Sequence, residues 1–209
     1  MYNLPYYKEK DADVVIEFMK KHPFAMLIAV DATNKPVATQ LPILLKERAG
    51  SLYLQAHIMR QTDHHKALEN NKQVLVVFSS ANAYVSASLY QNKEQASTWN
   101  YQAVHVSGEL SFLGEDQLLL MLDELTSHFE NNPASPSLYK HLPPDYVQHL
   151  SKAIVAFEIK VTGMDHVFKL SQNRDQKSYE NITEHFCQGN KDEQYIAAEM
   201  NRRKNDLFG

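Results

Sequence analysis

The chain has 209 residues, 44% of them hydrophobic and 22% charged, with a formal net charge of −4; this sets it among ordinary globular proteins and excludes the disordered, collagen-like and disulfide-scaffold classes. Its longest apolar runs, residues 24–30 and 118–122, are far shorter than the roughly 18–20 residues that cross a bilayer, so no membrane partner is expected. The acidic balance argues against a broad nucleic-acid footprint, because such binding needs cations that displace phosphate counterions.

The opening Met1-Tyr2-Asn3-Leu4-Pro5 has neither the basic stretch nor the apolar core of a secretion signal, and Cys187 is the sole cysteine; both point to a reducing, cytoplasmic setting. Asp11 is placed to cap a first helix, with Val14, Val15, Phe18 and Met19 on one face until His22-Pro23 stops it. Residues 24–30 then read as a buried strand, 31–36 as a turn, and 37–45 as a second strand interrupted by Pro42, a hairpin whose proline marks an edge or a bulge. Residues 51–56 and 73–79 are two further strands, separated by a polar, helix-compatible stretch at 60–71. Residues 83–88 and the long β-prone run 97–113 add two more. The clearest helix spans 115–130, where Leu118, Leu119, Met121, Leu122, Leu125 and Phe129 recur at helical spacing behind an acidic first turn. A proline-rich connection at 133–144 leads to a short helix through 146–151 and a strand at 154–162, and residues 192–204 form a terminal helix.

Strands joined by tight turns cannot be parallel neighbours, because a parallel crossover needs a dozen or more residues. The expected architecture is therefore mainly β with peripheral helices, an antiparallel sheet closed into a small barrel that removes its exposed edges. One domain, residues 1–209, with helical N- and C-terminal elements is expected. With six glycines and no GxGxxG, Walker loop, HExxH, GxSxG or CxxC, the familiar nucleotide and hydrolase sites are absent. No metal set is expected, since the adjacent His64 and His65 point in different directions and lack a cysteine partner.

Three polar and aromatic segments remain. Arg60 and Thr62, at the end of the third strand, offer a guanidinium fork and a hydroxyl suited to phosphate; the alternative is ordinary surface. The second is Tyr84-Val85-Ser86-Ala87-Ser88-Leu89-Tyr90 followed by Ser97-Thr98-Trp99-Asn100-Tyr101-Gln102-Ala103-Val104-His105, where a period of two puts Trp99, Tyr101, Ala103 and His105 on one face and Thr98, Asn100, Gln102 and Val104 on the other. Aromatic surface beside amides suits a planar heterocycle, or else a barrel core. Lys169-Leu170-Ser171-Gln172-Asn173-Arg174 is either a solvated loop or a clasp on an anionic ligand or another chain. The basic run Arg202-Arg203-Lys204 is either a solvated helix face or a local nucleic-acid patch.

These blocks, with Met1-Tyr2, His22-Pro23-Phe24, His57 to Arg60, Tyr84-Val85-Ser86 and Gly108, resemble the PaiB family, flavin split-barrel proteins described as negative transcriptional regulators of degradative-protease and sporulation genes in bacilli. The resemblance runs over nearly the whole chain. It implies a six-stranded antiparallel split β-barrel like that of pyridoxamine-phosphate oxidase relatives, a homodimer with FMN where two subunits meet, and the 97–113 strand near the shared face. On that pattern Arg60 and Thr62 hold the phosphate, Ser86, Trp99 and Asn100 meet the flavin, and Lys169, Asn173 and Arg174 form the clasp. The chain departs from the family at Thr62-Asp63, Ala87, Leu89 and Ser178-Tyr179, with fewer cations and stacking groups to hold a flavin.

The resemblance implies transcriptional repression, with a noncatalytic flavin-binding or flavin-derived sensor module favoured. The alternatives are an FMN-dependent oxidoreductase, in which His105 is the one acid–base candidate beside the ring, and a haem-binding split barrel using His57 or His105. DNA contact, if direct, would fall to Arg202, Arg203 and Lys204.

Overall fold

The computed structural model describes all 209 residues. Asp11 caps the first helix, α1 (Ala12–Lys21), its carboxylate accepting from the Asp13 amide at 2.9 Å, and Val15, Phe18 and Met19 form its buried stripe. Two compact units follow from the packing: a terminal unit of Met1–His22, Phe78–Val104 and Asp165–Gly209, and a central unit of Pro23–Val77 and His105–Met164.

The strands are β1 (Phe24–Val30), β2 (Pro36–Pro42), β3 (Leu44–Arg48) and β4 (Ser51–Met59), all in the central unit, and β5 (Gln73–Val85), β6 (Thr98–Phe112) and β7 (Ile154–Lys169), each with residues in both units. They form one sheet in the order β2-β1-β5-β6-β7-β4-β3. β1 pairs antiparallel with β2 and β5, and β4 pairs antiparallel with β3 and β7. The two edge strands, β2 and β3, are separated in sequence by Ile43 alone. Since consecutive Cα atoms lie ~3.8 Å apart, the sheet must curl until its edges meet at this corner, which is the split barrel.

Seven strands stand where the family pattern implied six. The run at 37–45 divides because Pro42 has no amide proton and the Ile43 amide donates to the Pro23 carbonyl at 2.8 Å instead of extending the ladder. Conversely, 73–79 and 83–88, which read as two strands, form the single β5, and β7 continues beyond residue 162 to Lys169.

Helices α2 (Asp63–Asn70), α3 (Glu115–Glu130) and α4 (Pro144–Ser151) belong to the central unit. Leu118 and Met121 of α3 bury against Leu44 and Ala156. The terminal unit pairs α5 (Gln176–Cys187) with α6 (Lys191–Phe208) over a core that includes Val85, Tyr90, Leu170, Tyr179, Ile182, Phe186, Ile196 and Met200. No helix is long and apolar enough to cross a membrane.

His64 of α2 is buried, with Nδ1 2.8 Å from the Thr39 hydroxyl and Nε2 without a partner; Nδ1 of His57 on β4 is likewise enclosed and unpartnered. Burial lowers the pKa of both rings, which stay neutral in the folded chain where an unfolded one would take up a proton. The stabilisation that results is present above the unfolded value of ~6.5 and is lost as the pH falls toward the depressed folded values. The melting temperature should therefore drop between pH 7 and pH 5, and His57→Phe should reduce that drop; an equal drop in the variant would contradict the assignment.

Candidate functional site

The C-terminal end of β7 delivers Lys169 into the terminal unit with 9% of its surface exposed. The next residues fold back on themselves. Ser171 takes the left-handed conformation at φ 63°, the Arg174 amide donates to the Ser171 carbonyl at 2.9 Å, and the Gln172 side chain accepts from the Leu170 amide and donates to the Phe168 carbonyl. Ser171 donates to Asn100 Oδ1 at 3.0 Å. The polar hexamer is thus an ordered turn with the Leu170 and Arg174 amides internally bonded, and it sets its two cations close enough for Arg174 to act on Lys169.

Lys169 Nζ donates to the Thr98 hydroxyl and lies 5.4 and 5.9 Å from the ring centres of Tyr2 and Tyr7. Arg174 stacks 4.1 Å from the ring centre of Tyr90 and donates to the Tyr90 hydroxyl and the Gln95 side-chain Oε1. Neither cation forms an ion pair with a carboxylate. Burial, and then the charge of Arg174, push the Lys169 pKa down. Burial, with Tyr6 adding to it, pushes the Tyr7 phenol up to about 12, so the tyrosines beside the cations supply neutral rings and hydroxyls. A buried cation without a counter-charge is costly, and an arriving anion removes that cost.

A second feature lies on the outward face of β6. The alternation is as the period requires: Asn100, Gln102, Val104 and Val106 are buried, while Trp99 is 51% exposed. Trp99 meets the 50%-exposed Tyr84 edge-on at 5.5 Å between ring centres. Ser79, Ser80, Asn82, Trp99 and Tyr101, with Gln102 and Ala103, line an open groove of about 300 Å³. The groove combines flat aromatic surface with small polar groups, as a planar heterocycle needs.

The other sequence candidates are dispersed. Asn100 lies on the inner face, wholly buried, accepting from Ser171 and donating to Met200 Sδ at 3.5 Å. The family resemblance makes it a flavin-contact candidate; in this structure its side chain bonds to the turn beneath Lys169. Ser86 caps the short turn at 87–89 by accepting from the Ser88 amide, and Asn173 is exposed. Arg60 and Thr62 lie in the central unit. Thr62 is the cap of α2, accepting from the His65 amide and donating to the Met59 carbonyl, both at 3.1 Å. Arg60 is exposed beside a 290 Å³ cavity also lined by Gly114, Glu115 and Lys152. Arg202 and Arg203 pair with Glu199, Arg203 also lies 3.6 Å from Glu9, and Lys204 pairs with Glu180 at 3.0 Å. Each cation of the terminal basic run is thus matched by a carboxylate, which leaves no uncompensated patch there. His57 and His105 are half-buried, and no group of His, Cys, Asp and Glu could hold a metal ion.

Tyr7 and Gln95 carry no signal in the sequence, Tyr2 stands there only as a family marker, and Tyr90 only as a member of the 84–90 segment. Contacts of this kind, 84 residues apart for Arg174 and Tyr90, leave no local pattern.

A family model described as "Putative FMN-binding domain" matches residues 1–163. The protease synthase and sporulation protein PAI 2 of Bacillus subtilis (strain 168) is 33% identical over 184 residues, covering 88% of each chain. Among solved structures, the flavocytochrome Anf3 from Azotobacter vinelandii superposes with a TM-score of 0.61 at 14% identity, over 81% of this chain and 72% of that one. The FAD and heme binding protein from Mycobacterium smegmatis gives 0.54 at 17% identity, over 77% and 72%. At these identities the structural likeness establishes the split-barrel fold alone.

Proposed function

The chain belongs to the PaiB family of FMN-binding-domain proteins, and on that premise we propose that it is a flavin-binding regulatory module that holds the anionic end of FMN at Lys169 and Arg174. The observation that carries this reading is the pair of cations, one of them buried, with Arg174 acting on Lys169 and neither in an ion pair with a carboxylate. A phosphate suits such a pair, because charge-assisted bonds to an ammonium and a guanidinium fork are stronger than neutral ones. The isoalloxazine ring is assigned to the groove of Trp99 and Tyr101, on the strand whose Thr98 accepts from Lys169.

Binding rather than catalysis is favoured by the groove itself, whose lining side chains include no carboxylate and no histidine to move a proton. A second copy of the chain is the proposed cover for the exposed Tyr84 and Trp99, giving a homodimer with the groove at its shared face. The regulatory role is the one the PaiB resemblance implies, and it is read as indirect, because Arg202, Arg203 and Lys204 are already paired with acids.

The test is to incubate the purified protein with FMN, pass it through a desalting column, and record the visible spectrum and the mass by light scattering. Flavin bands that travel with a dimer are the expected result; a colourless protein would overturn the reading.

A further inference from the structure

We propose that the cleft between α1 and α6 binds an aliphatic amine, with its ammonium group held by Gln102 and Glu199 and its alkyl chain laid against Phe18 and Phe168. The cleft lies wholly within the terminal unit and encloses about 590 Å³, inside the roughly 300–1,000 Å³ range of small-molecule sites. Neither Lys169 nor Arg174 lines it, and Gln102 is the one residue it has in common with the groove of Trp99 and Tyr101, so amine binding does not depend on the FMN reading.

The inner face of β6 contributes Gln102, 1% exposed, whose Oε1 is enclosed and accepts no hydrogen bond. An enclosed amide oxygen left without a donor is destabilising, and here it belongs to a side chain lining the cleft, where a ligand's N–H can satisfy it. Glu199 on α6 is 7% exposed and also lines the cleft. Its oxygens accept from Arg202 and Arg203, at 2.9 Å for the latter, which holds the carboxylate in place with acceptor capacity to spare.

Charge selects the ligand. Six carboxylates line the cleft against three cations, and Asp13 and Asp206, exposed at its rim, take part in no ion pair. An anion would meet this excess and be repelled, and a neutral ligand would gain nothing from it. The wall is apolar and aromatic: the rings of Phe18 and Phe168 lie 5.0 Å apart, and the Arg203 guanidinium already sits 5.6 Å from the Phe168 ring centre. A cation carried on methylene groups fits both halves of this lining.

Calorimetric titration of the full-length protein with n-butylamine, n-butanol and butyrate tests the assignment, with and without added FMN. Saturable binding of the amine alone is expected, and Gln102→Leu should weaken it roughly tenfold or more while leaving the melting temperature no lower than that of the wild type. Should Gln102→Leu not fold, the Asp13→Asn, Asp206→Asn double variant, altered only at exposed rim positions, should still weaken amine binding at low salt. No heat with the amine, equal binding of butanol, or unchanged affinity in the folded variants would overturn the proposal. Failure of FMN to bind leaves this titration unaffected, so the two readings fail separately.

Discussion

Gly108→Ala is expected to destabilise the chain by about 3 kcal/mol or more, the range of severe overpacking in a core. A Cβ at this position in β6 would lie 2.4 Å from Ile159 Cγ2 and 2.6 Å from the Lys160 carbonyl oxygen on β7. The isoleucine methyl could turn aside, but the carbonyl is backbone and cannot. The alanine methyl must therefore push β6 away from β7 in the middle of the sheet, where the order β5-β6-β7-β4 leaves no edge to absorb the shift. Gly163→Ala is the matched control, because its Cβ would meet nothing closer than Ser107 Cβ at 4.0 Å. Equilibrium denaturation in urea should show a large loss of stability for the first variant and little change for the second. Equal stabilities would contradict the close approach of the two strands.

Lys169→Ala and Arg174→Ala should each weaken FMN binding by about 10- to 100-fold, the equivalent of about 1.5–3 kcal/mol for a hydrogen bond to a charged group. The unliganded protein should respond in the opposite sense to Lys169→Met. Its Lys169 is a buried cation with a depressed pKa, so the unfolded chain binds its proton more tightly than the folded one. Stability on this account rises with pH between the lowered folded value and the unfolded value of ~10.4. Below that window Lys169→Met should be at least as stable as the wild type, and the rise should vanish in the variant. A large destabilisation by Lys169→Met in the absence of ligand would mean that the ammonium serves packing with Thr98 and the tyrosines, not an anion.

Where the sequence was legible, local physics was sufficient. α3 occupies Glu115–Glu130 as its leucine spacing requires, Asp11 caps α1, and the alternation along β6 sorts Trp99 outward and Gln102 inward. α5 could have been found, since Tyr179, Ile182, Thr183 and Phe186 recur at helical spacing behind the capping Asp175, but the surrounding polar residues dilute the stripe. The division at Pro42 was legible as an interruption, whereas its consequence, one residue joining both edges of the sheet, depends on the strand order and not on the run itself.

The candidate site was legible only in part. Lys169 and Arg174 stood out as cations at the ends of one polar segment, and the turn between them is local. What makes them a candidate anion site is that neither forms an ion pair with a carboxylate, together with the rings of Tyr2, Tyr7 and Tyr90 around them. Those facts depend on contacts across more than 80 residues in the case of Tyr90. Asn100 illustrates the same limit. Its residue type suited a flavin edge, and the fold spends it on Ser171.

The most direct measurement is a fluorescence titration of the unliganded protein with FMN and, in parallel, with riboflavin, which has the same ring and no phosphate. If Lys169 and Arg174 hold the phosphate, FMN should bind at least roughly tenfold more tightly than riboflavin, and the advantage should disappear in the Lys169→Ala, Arg174→Ala double variant. Equal affinity of the wild type for the two compounds, or an FMN preference that survives in the double variant, would contradict the assignment.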